Sequence, residues 1–293
     1  MTQQTNLAGT FTFPGTAMTV NRMGYGAMQL AGPHVFGPPR DLDAALAVLR
    51  EAIAAGVNHI DTSDFYGPHV TNQIIKQALH PYPDGLVIVT KVGARRGADA
   101  SWNPALSRQD IIDAVHDNLR NLALEKLDIV NLRVGGVMGP TDGSIEAPSP
   151  SSPNSKPRAS SATLASATSP PAASRSAKIT DIVCIQNLYN VAHRTDDAFL
   201  DDLTRQGIAY VPFFPLGGFT PLQSATLDAA AASLQSTPMQ VAQAWLLHRS
   251  PNMLLIPGTS SLDHLRENLK AATLELPPET ITSLNAIATA PKP

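Results

Sequence analysis

Two stretches decide the fold: Val57-Asn58-His59-Ile60-Asp61-Thr62-Ser63-Asp64-Phe65-Tyr66-Gly67, and Leu86-Val87-Ile88-Val89-Thr90-Lys91. Each begins as a short apolar run of strand length, and each delivers a polar group where the run stops. Between them Val70 to Leu79 reads as a short helix. An acid (Asp61), a phenol (Tyr66) and an amine (Lys91) therefore fall at or just past strand ends. In a parallel αβ barrel those ends share one rim, and the rim is where chemistry takes place.

The same alternation runs outward in both directions. Phe11 to Val20 reads as a hairpin around Pro14-Gly15, and Arg22 to Met28 as a first strand ending in Gly24-Tyr25-Gly26-Ala27-Met28. Leu42 to Ala55 carries Leu46, Leu49 and Ile53 at helical spacing, with Gly56 as its stop. Ser107 opens another helix as its N-cap, with Asp110 three residues on as a box-like partner. Leu127 to Leu132, Ile182 to Gln186, Ile208 to Phe214 and Met253 to Ile256 read as strands, and Ala198 to Gln206, Pro238 to His248 and Leu262 to Ala271 as helices. Near-continuous apolar strands alternating with helices predict a parallel sheet covered on its outer face. At this length the sheet closes into a (β/α)8 TIM-type barrel with an N-terminal hairpin, a single domain over residues 1–293.

Composition narrows the class of function. The chain has 293 residues, 43% of them hydrophobic and 15% charged, with a formal net charge of −3, which offers nothing to nucleic acid or an anionic membrane. Residues 1–6 show no basic region followed by an apolar core, so a secretory leader is not expected; no apolar run reaches membrane-spanning length, and a cytoplasmic enzyme is the expectation. The single cysteine, Cys184, excludes an internal disulfide framework and reads as a core thiol. The histidines lack metal-ligand spacing, so no metal is expected. No protein partner is readable.

Together these segments resemble the active-site signatures of the aldo-keto reductases. The resemblance covers about Met18 to Ala147 and Lys178 to Ala288. It implies reduction of a small carbonyl substrate by NADPH, with NADH possible. Tyr66 would be the proton donor, Lys91 the cation that lowers its pKa, and Asp61 the carboxylate that positions Lys91. In the pattern Asp128-Ile129-Val130-Asn131-Leu132-Arg133, Arg133 stands where the family usually has a histidine. A guanidinium cannot give up its proton, but it can donate to a substrate oxygen.

The cofactor side is carried over in the same way. Gly26, Ala27 and Met28 end the first strand. Gln186 matches the glutamine that bonds the nicotinamide carboxamide, and Phe213 the aromatic that stacks on its ring. Leu216 and Gly217 would admit the pyrophosphate. Gly258, Thr259, Ser260, Ser261, His264, Glu267 and Asn268 resemble the adenosine end, where a strand meets a helix N-terminus. Gly258 and His264 stand where a lysine and an arginine are frequent, which weakens the signal for a 2′-phosphate. A non-catalytic protein that binds a nicotinamide cofactor is the alternative from another class.

One strand is missing from this reading. Residues 148–177 are rich in proline, serine and alanine, with Leu164 their one large aliphatic side chain. That composition predicts a disordered segment where the family has its fifth strand and a Gly-Leu/Val-Ser-Asn end. Codons can be chosen for Ala165-Ser166-Ala167-Thr168-Ser169 that read Gly-Leu-Ser-Asn-Val in the neighbouring frame, and Leu-Ile-Arg-His for Ser160-Ser161-Ala162-Thr163. Ser149 to about Ala177 is therefore expected to be a frameshifted translation, and a non-functional product is a further alternative. The gene sequence tests it: an adjacent frame encoding Gly-Leu-Ser-Asn is expected there, and a frame lacking it would make the segment a true insertion.

Overall fold

In a computed structural model the described residues are 6–134, 163–167, 182–216 and 224–289. A hairpin of β1 (Thr10–Thr12) and β2 (Thr19–Asn21) leads into β3 (Tyr25–Gly26). Then follow α1 (Leu42–Ala54), β4 (His59–Asp61), α2 (Val70–Leu79) and β5 (Val87–Val92). A second hairpin, β6 (Ala94–Arg96) and β7 (Trp102–Pro104), precedes α3 (Arg108–Leu122) and β8 (Ile129–Arg133). The chain continues through β9 (Thr163–Ala167), β10 (Ile182–Leu188), α4 (Asp197–Gln206) and β11 (Ala209–Phe213). Helices α5 (Ala225–Ser233), α6 (Pro238–Arg249), α7 (Leu262–Lys270) and α8 (Pro278–Asn285) complete it.

The seven-stranded sheet runs β11-β10-β9-β8-β5-β4-β3, and its paired neighbours are parallel. Residues 253–255 close it. Met253 bridges Tyr210 on β11, and Leu255 bridges Met23 just before β3. The seam is locked by backbone bonds from Gly24 N to Leu255 O (2.8 Å) and from Leu255 N to Arg22 O (2.8 Å). Arg22 adds a clamp, donating to the carbonyls of Leu247 (2.7 Å), Ser250 (2.6 Å) and Met253 (3.2 Å). Segment 253–255 thus takes the eighth position of the cylinder.

β9 lies where composition predicted disorder and no strand. Leu164 is paired with both Val130 and Ile182. A ladder is made by backbone groups, and Thr163–Ala167 contains no proline to interrupt one. Flanking strands with free edges supply the template that local propensity lacks. The rest of residues 148–177 lies outside the described residues.

Side-chain alternation along the strands converts this closure into an active-site layout. Val87, Val89, Ile129, Ala209, Val211 and Leu254 form one buried apolar cluster with Phe13 and Val20, so the N-terminal hairpin packs against the floor of the barrel. Two residues further along the same strands come Lys91, Asn131, Phe213 and Ile256, all lining a cavity. Each strand therefore passes from an apolar floor to a residue that lines the cavity, polar on β5 and β8 and apolar on β11 and the 253–256 segment. Helices α1 and α6 seal the outside, with Leu49 and Trp245 essentially inaccessible.

Local signals explain the helix boundaries. Asp41 caps α1 by accepting from Ala44 N. Ser107 and Asp110 form a reciprocal capping box on α3, and Thr237 and Gln240 form one on α6. The β6–β7 hairpin, α5 and α8 were not read from sequence.

Candidate active site

The three residues at the strand ends converge. Lys91 Nζ hydrogen-bonds Asp61 Oδ1 and also donates to the Thr62 carbonyl at 2.9 Å. Both charged side chains are about 5% exposed. Gln186, arriving from β10, donates its amide Nε2 to the other Asp61 oxygen at 2.9 Å. The Lys91 ammonium lies 5.2 Å from the centre of the Tyr66 ring. Tyr66 is held in place by packing with Val35, Phe65 and Trp102.

Burial is the largest influence on the Tyr66 phenol and pushes it up. Lys91 pulls the other way through its charge and a hydrogen bond, but the net direction is upward. Lys91 thus acts in the expected direction, but taking a phenolate out of water outweighs one neighbouring ammonium that is itself tied to a carboxylate. Burial also works against the Lys91 ammonium, yet Asp61 and Tyr66 together raise its pKa. Below Asp61 on β4, His59 is buried with its Nδ1 unpartnered, and burial pushes the imidazole down to about 4. The site therefore holds a protonated phenol over a fixed ammonium.

Arg133 lines the same cavity. It pairs with neither Asp61 nor Asp64. Asp61 is occupied by Lys91 and Gln186, and Asp64 accepts from Asn72 and Asn121 and meets His69. The ligand atoms of Asp64, His69 and Asp117 lie within 4.8 Å of one another. Asp64 is already bonded by two amides and Asp117 pairs with Arg120, which makes this a structural network.

The cavity, about 420 Å³, runs from Asp61, Tyr66 and Lys91 to Gly258 and Asn268. Of the residues predicted to hold a cofactor, Gly26, Met28, Gln186, Phe213, Leu216, Gly258 and Asn268 line it. Ala27 is buried in the main core instead. Gly258 and Gly26 are in close approach, since a Cβ on Gly258 would stand 2.5 Å from the Gly26 carbonyl oxygen. Thr259 is buried, its carbonyl accepting from the Tyr25 hydroxyl at 2.6 Å. Ser261 caps α7, accepting from His264 N. Ser260 and His264 are exposed and Glu267 is half-buried. Gly217 lies outside the described residues.

Among the lining residues that escaped the sequence reading, Trp102, Asn131 and Gln243 matter most for the site. Trp102 forms a wall from the β6–β7 hairpin, which Arg96 staples to the loop at 34–35 through the His34 and Val35 carbonyls while stacking 3.9 Å over the indole. Asn131 and Gln243 are each about 1% exposed. Asn131 Nδ2 and Gln243 Oε1 have no partner, although Gln243 Nε2 donates to Asn268. A polar residue interrupting an apolar strand or helix run was the available signal for both. Buried polar atoms left open on a cavity wall suit a polar ligand that completes them. The lining thus fits an extended nicotinamide cofactor.

Comparison with known proteins agrees with this layout. The model of the aldo/keto reductase family matches residues 22–133 and 159–289. Pyridoxine 4-dehydrogenase from Escherichia coli (strain K12) is 62% identical over 280 residues, covering 94% of this chain and 98% of the relative. An uncharacterized oxidoreductase from Schizosaccharomyces pombe is 34% identical over 272 residues, covering 92% and 87%. An aldo-keto reductase from Klebsiella pneumoniae, solved in complex with NADPH, superposes with a TM-score of 0.72 at 20% identity, covering 97% of this chain and 96% of that one. The chain belongs to the aldo/keto reductase family and is an oxidoreductase acting between alcohols and carbonyls.

The buried ion pair has a stability consequence. Removing one partner strands the other charge out of water, at a cost of about 3–5 kcal/mol. Lys91→Met is expected to lose that much in urea unfolding, and the double variant Asp61→Asn, Lys91→Met to recover part of it. Equal stability of Lys91→Met and the unaltered chain would contradict the pairing.

Proposed function

We propose that this protein interconverts an aldehyde and its primary alcohol with NADPH and NADP, and that pyridoxal and pyridoxine are the natural pair. The observation that carries the reading is the Tyr66–Lys91–Asp61 constellation at one end of a long cavity. The identity of 62% with a pyridoxine 4-dehydrogenase over nearly both full lengths supports the substrate. NADPH is favoured by family membership and by the Klebsiella pneumoniae complex.

When bound, NADPH supplies the hydride that reaches the carbonyl carbon. Gln186 keeps its Oε1 for the nicotinamide amide, because its nitrogen is committed to Asp61. Phe213 offers the ring a flat apolar face. Asn268, Gln243 and the α7 N-terminus at Ser261 hold the far end. Tyr66 Oη donates its proton to the carbonyl oxygen as the new C–H bond forms, and the alcohol leaves. Lys91 steadies the resulting phenolate until a solvent proton restores it, and Asp61 keeps Lys91 charged and in place. In oxidation the same groups run in reverse.

Activity is expected to fall below that of the enzyme's relatives, because residues 149–177 supply no Gly-Leu-Ser-Asn string for the nicotinamide amide. The single-domain boundaries and cytoplasmic placement belong to the same proposal and rest on the sequence. Purified protein should oxidise NADPH in the presence of pyridoxal, followed by absorbance. Tyr66→Phe should lose about 10²–10⁴-fold in kcat with little change in NADPH affinity, as removal of a general acid does. NADPH binding without turnover by the unaltered chain would favour the non-catalytic alternative. Absence of both binding and a cooperative thermal transition would favour the non-functional product.

A further inference from the structure

Among the described residues lining the cavity, the cations are Lys91 and Arg133. Lys91 is neutralised by Asp61. Arg133 has no carboxylate within ion-pair distance among the described residues. Its guanidinium carbon lies 5.8 Å from the centre of the Trp102 ring, the same indole that packs edge-on to Tyr66 at 6.5 Å. Its charge also acts on the Tyr66 phenol. A guanidinium with no carboxylate partner among the described residues thus shares the Trp102 wall with the proton donor.

We propose that Arg133 binds a phenolate oxygen ortho to the reacting carbonyl, which makes the enzyme selective for ortho-hydroxylated aromatic aldehydes. The proposal rests on the carbonyl-reductase reading above and names its substrate class. A guanidinium carries its donors in a planar fork suited to two adjacent acceptors. In an ortho-hydroxy aryl aldehyde the carbonyl and ring oxygens lie side by side in one plane, so one fork can hold both. The ionised ring oxygen brings a single negative charge, which one cation without a carboxylate partner among the described residues can match. Trp102 and Phe213 give the flat ring apolar surfaces. The neutral imidazole usual in the family could not attract such an anion as strongly.

The test is a ladder of small aldehydes with the full-length protein and NADPH: benzaldehyde, 2-methoxybenzaldehyde, 4-hydroxybenzaldehyde and 2-hydroxybenzaldehyde. The expected kcat/KM favours the 2-hydroxy compound over the other three by roughly ten- to hundredfold, the worth of a charge-assisted hydrogen bond. In Arg133→Gln this preference should collapse to near unity. Arg133→Lys, which keeps the charge but loses the fork, should fall between. The unaltered protein already discriminates by itself, so the test survives a variant that fails to fold. Equal rates across the ladder, a 2-methoxy compound as good as the 2-hydroxy one, or a preference retained in Arg133→Gln would overturn the proposal while leaving carbonyl reduction intact. Failure to reduce any of the four or pyridoxal would bring down the carbonyl-reductase reading, and the role of Arg133 with it.

Discussion

The buried ion pair between Lys91 and Asp61 is the constraint on which the site depends. Two charges almost out of contact with water are costly unless each finds its complement. Here Asp61 receives the ammonium on one oxygen and the Gln186 amide on the other, and Lys91 adds the Thr62 carbonyl. Three strands contribute: the pair itself joins the neighbouring strands β4 and β5, and the Gln186 amide from β10 reaches Asp61 only because the sheet curls far enough to bring β10 across from β4. Barrel curvature therefore completes the bonding of Asp61 that keeps the buried pair satisfied. The outcome at Tyr66 follows from it. A free ammonium would draw the phenol down more strongly, whereas one tied to a carboxylate leaves burial in control.

That coupling also explains why the floor of the barrel is so apolar. Val87, Val89, Ile129, Val211 and Leu254 exclude water directly beneath Lys91, Asn131 and Phe213. Phe13 and Val20 extend the plug from the N-terminal hairpin. Low polarizability below the site strengthens every charge interaction above it. The same surroundings hold His59 neutral, because an imidazolium there would sit in a dry layer with no partner for its Nδ1.

Much of this was legible in the sequence, for an identifiable reason. Strand periodicity and strand-end chemistry are local, and Asp61, Tyr66 and Lys91 declare themselves within a few residues of an apolar run. Helix caps such as Ser107 with Asp110 are local too. The features that were missed depend on contacts distant in the chain. Trp102 becomes a wall only because Arg96 fastens its hairpin to residues 34–35. Gln243 meets Asn268 across two helices. The upward direction at Tyr66 required knowledge of its burial, which no spacing reveals. β9 was missed for the opposite reason: Thr163–Ala167 has little intrinsic preference for a strand, and its place is set by the backbones of β8 and β10 on either side.

Titration of the Tyr66 hydroxyl tests the central claim most directly. Carbon-13 tyrosine NMR can follow it, with Tyr66→Phe identifying the resonance. The account predicts ionisation above the ordinary phenol value of about 10, and a further upward move in Lys91→Met, since that variant removes the one strong influence favouring phenolate. A Tyr66 that ionises below 10, or one whose titration is unchanged when Lys91 is lost, would contradict it.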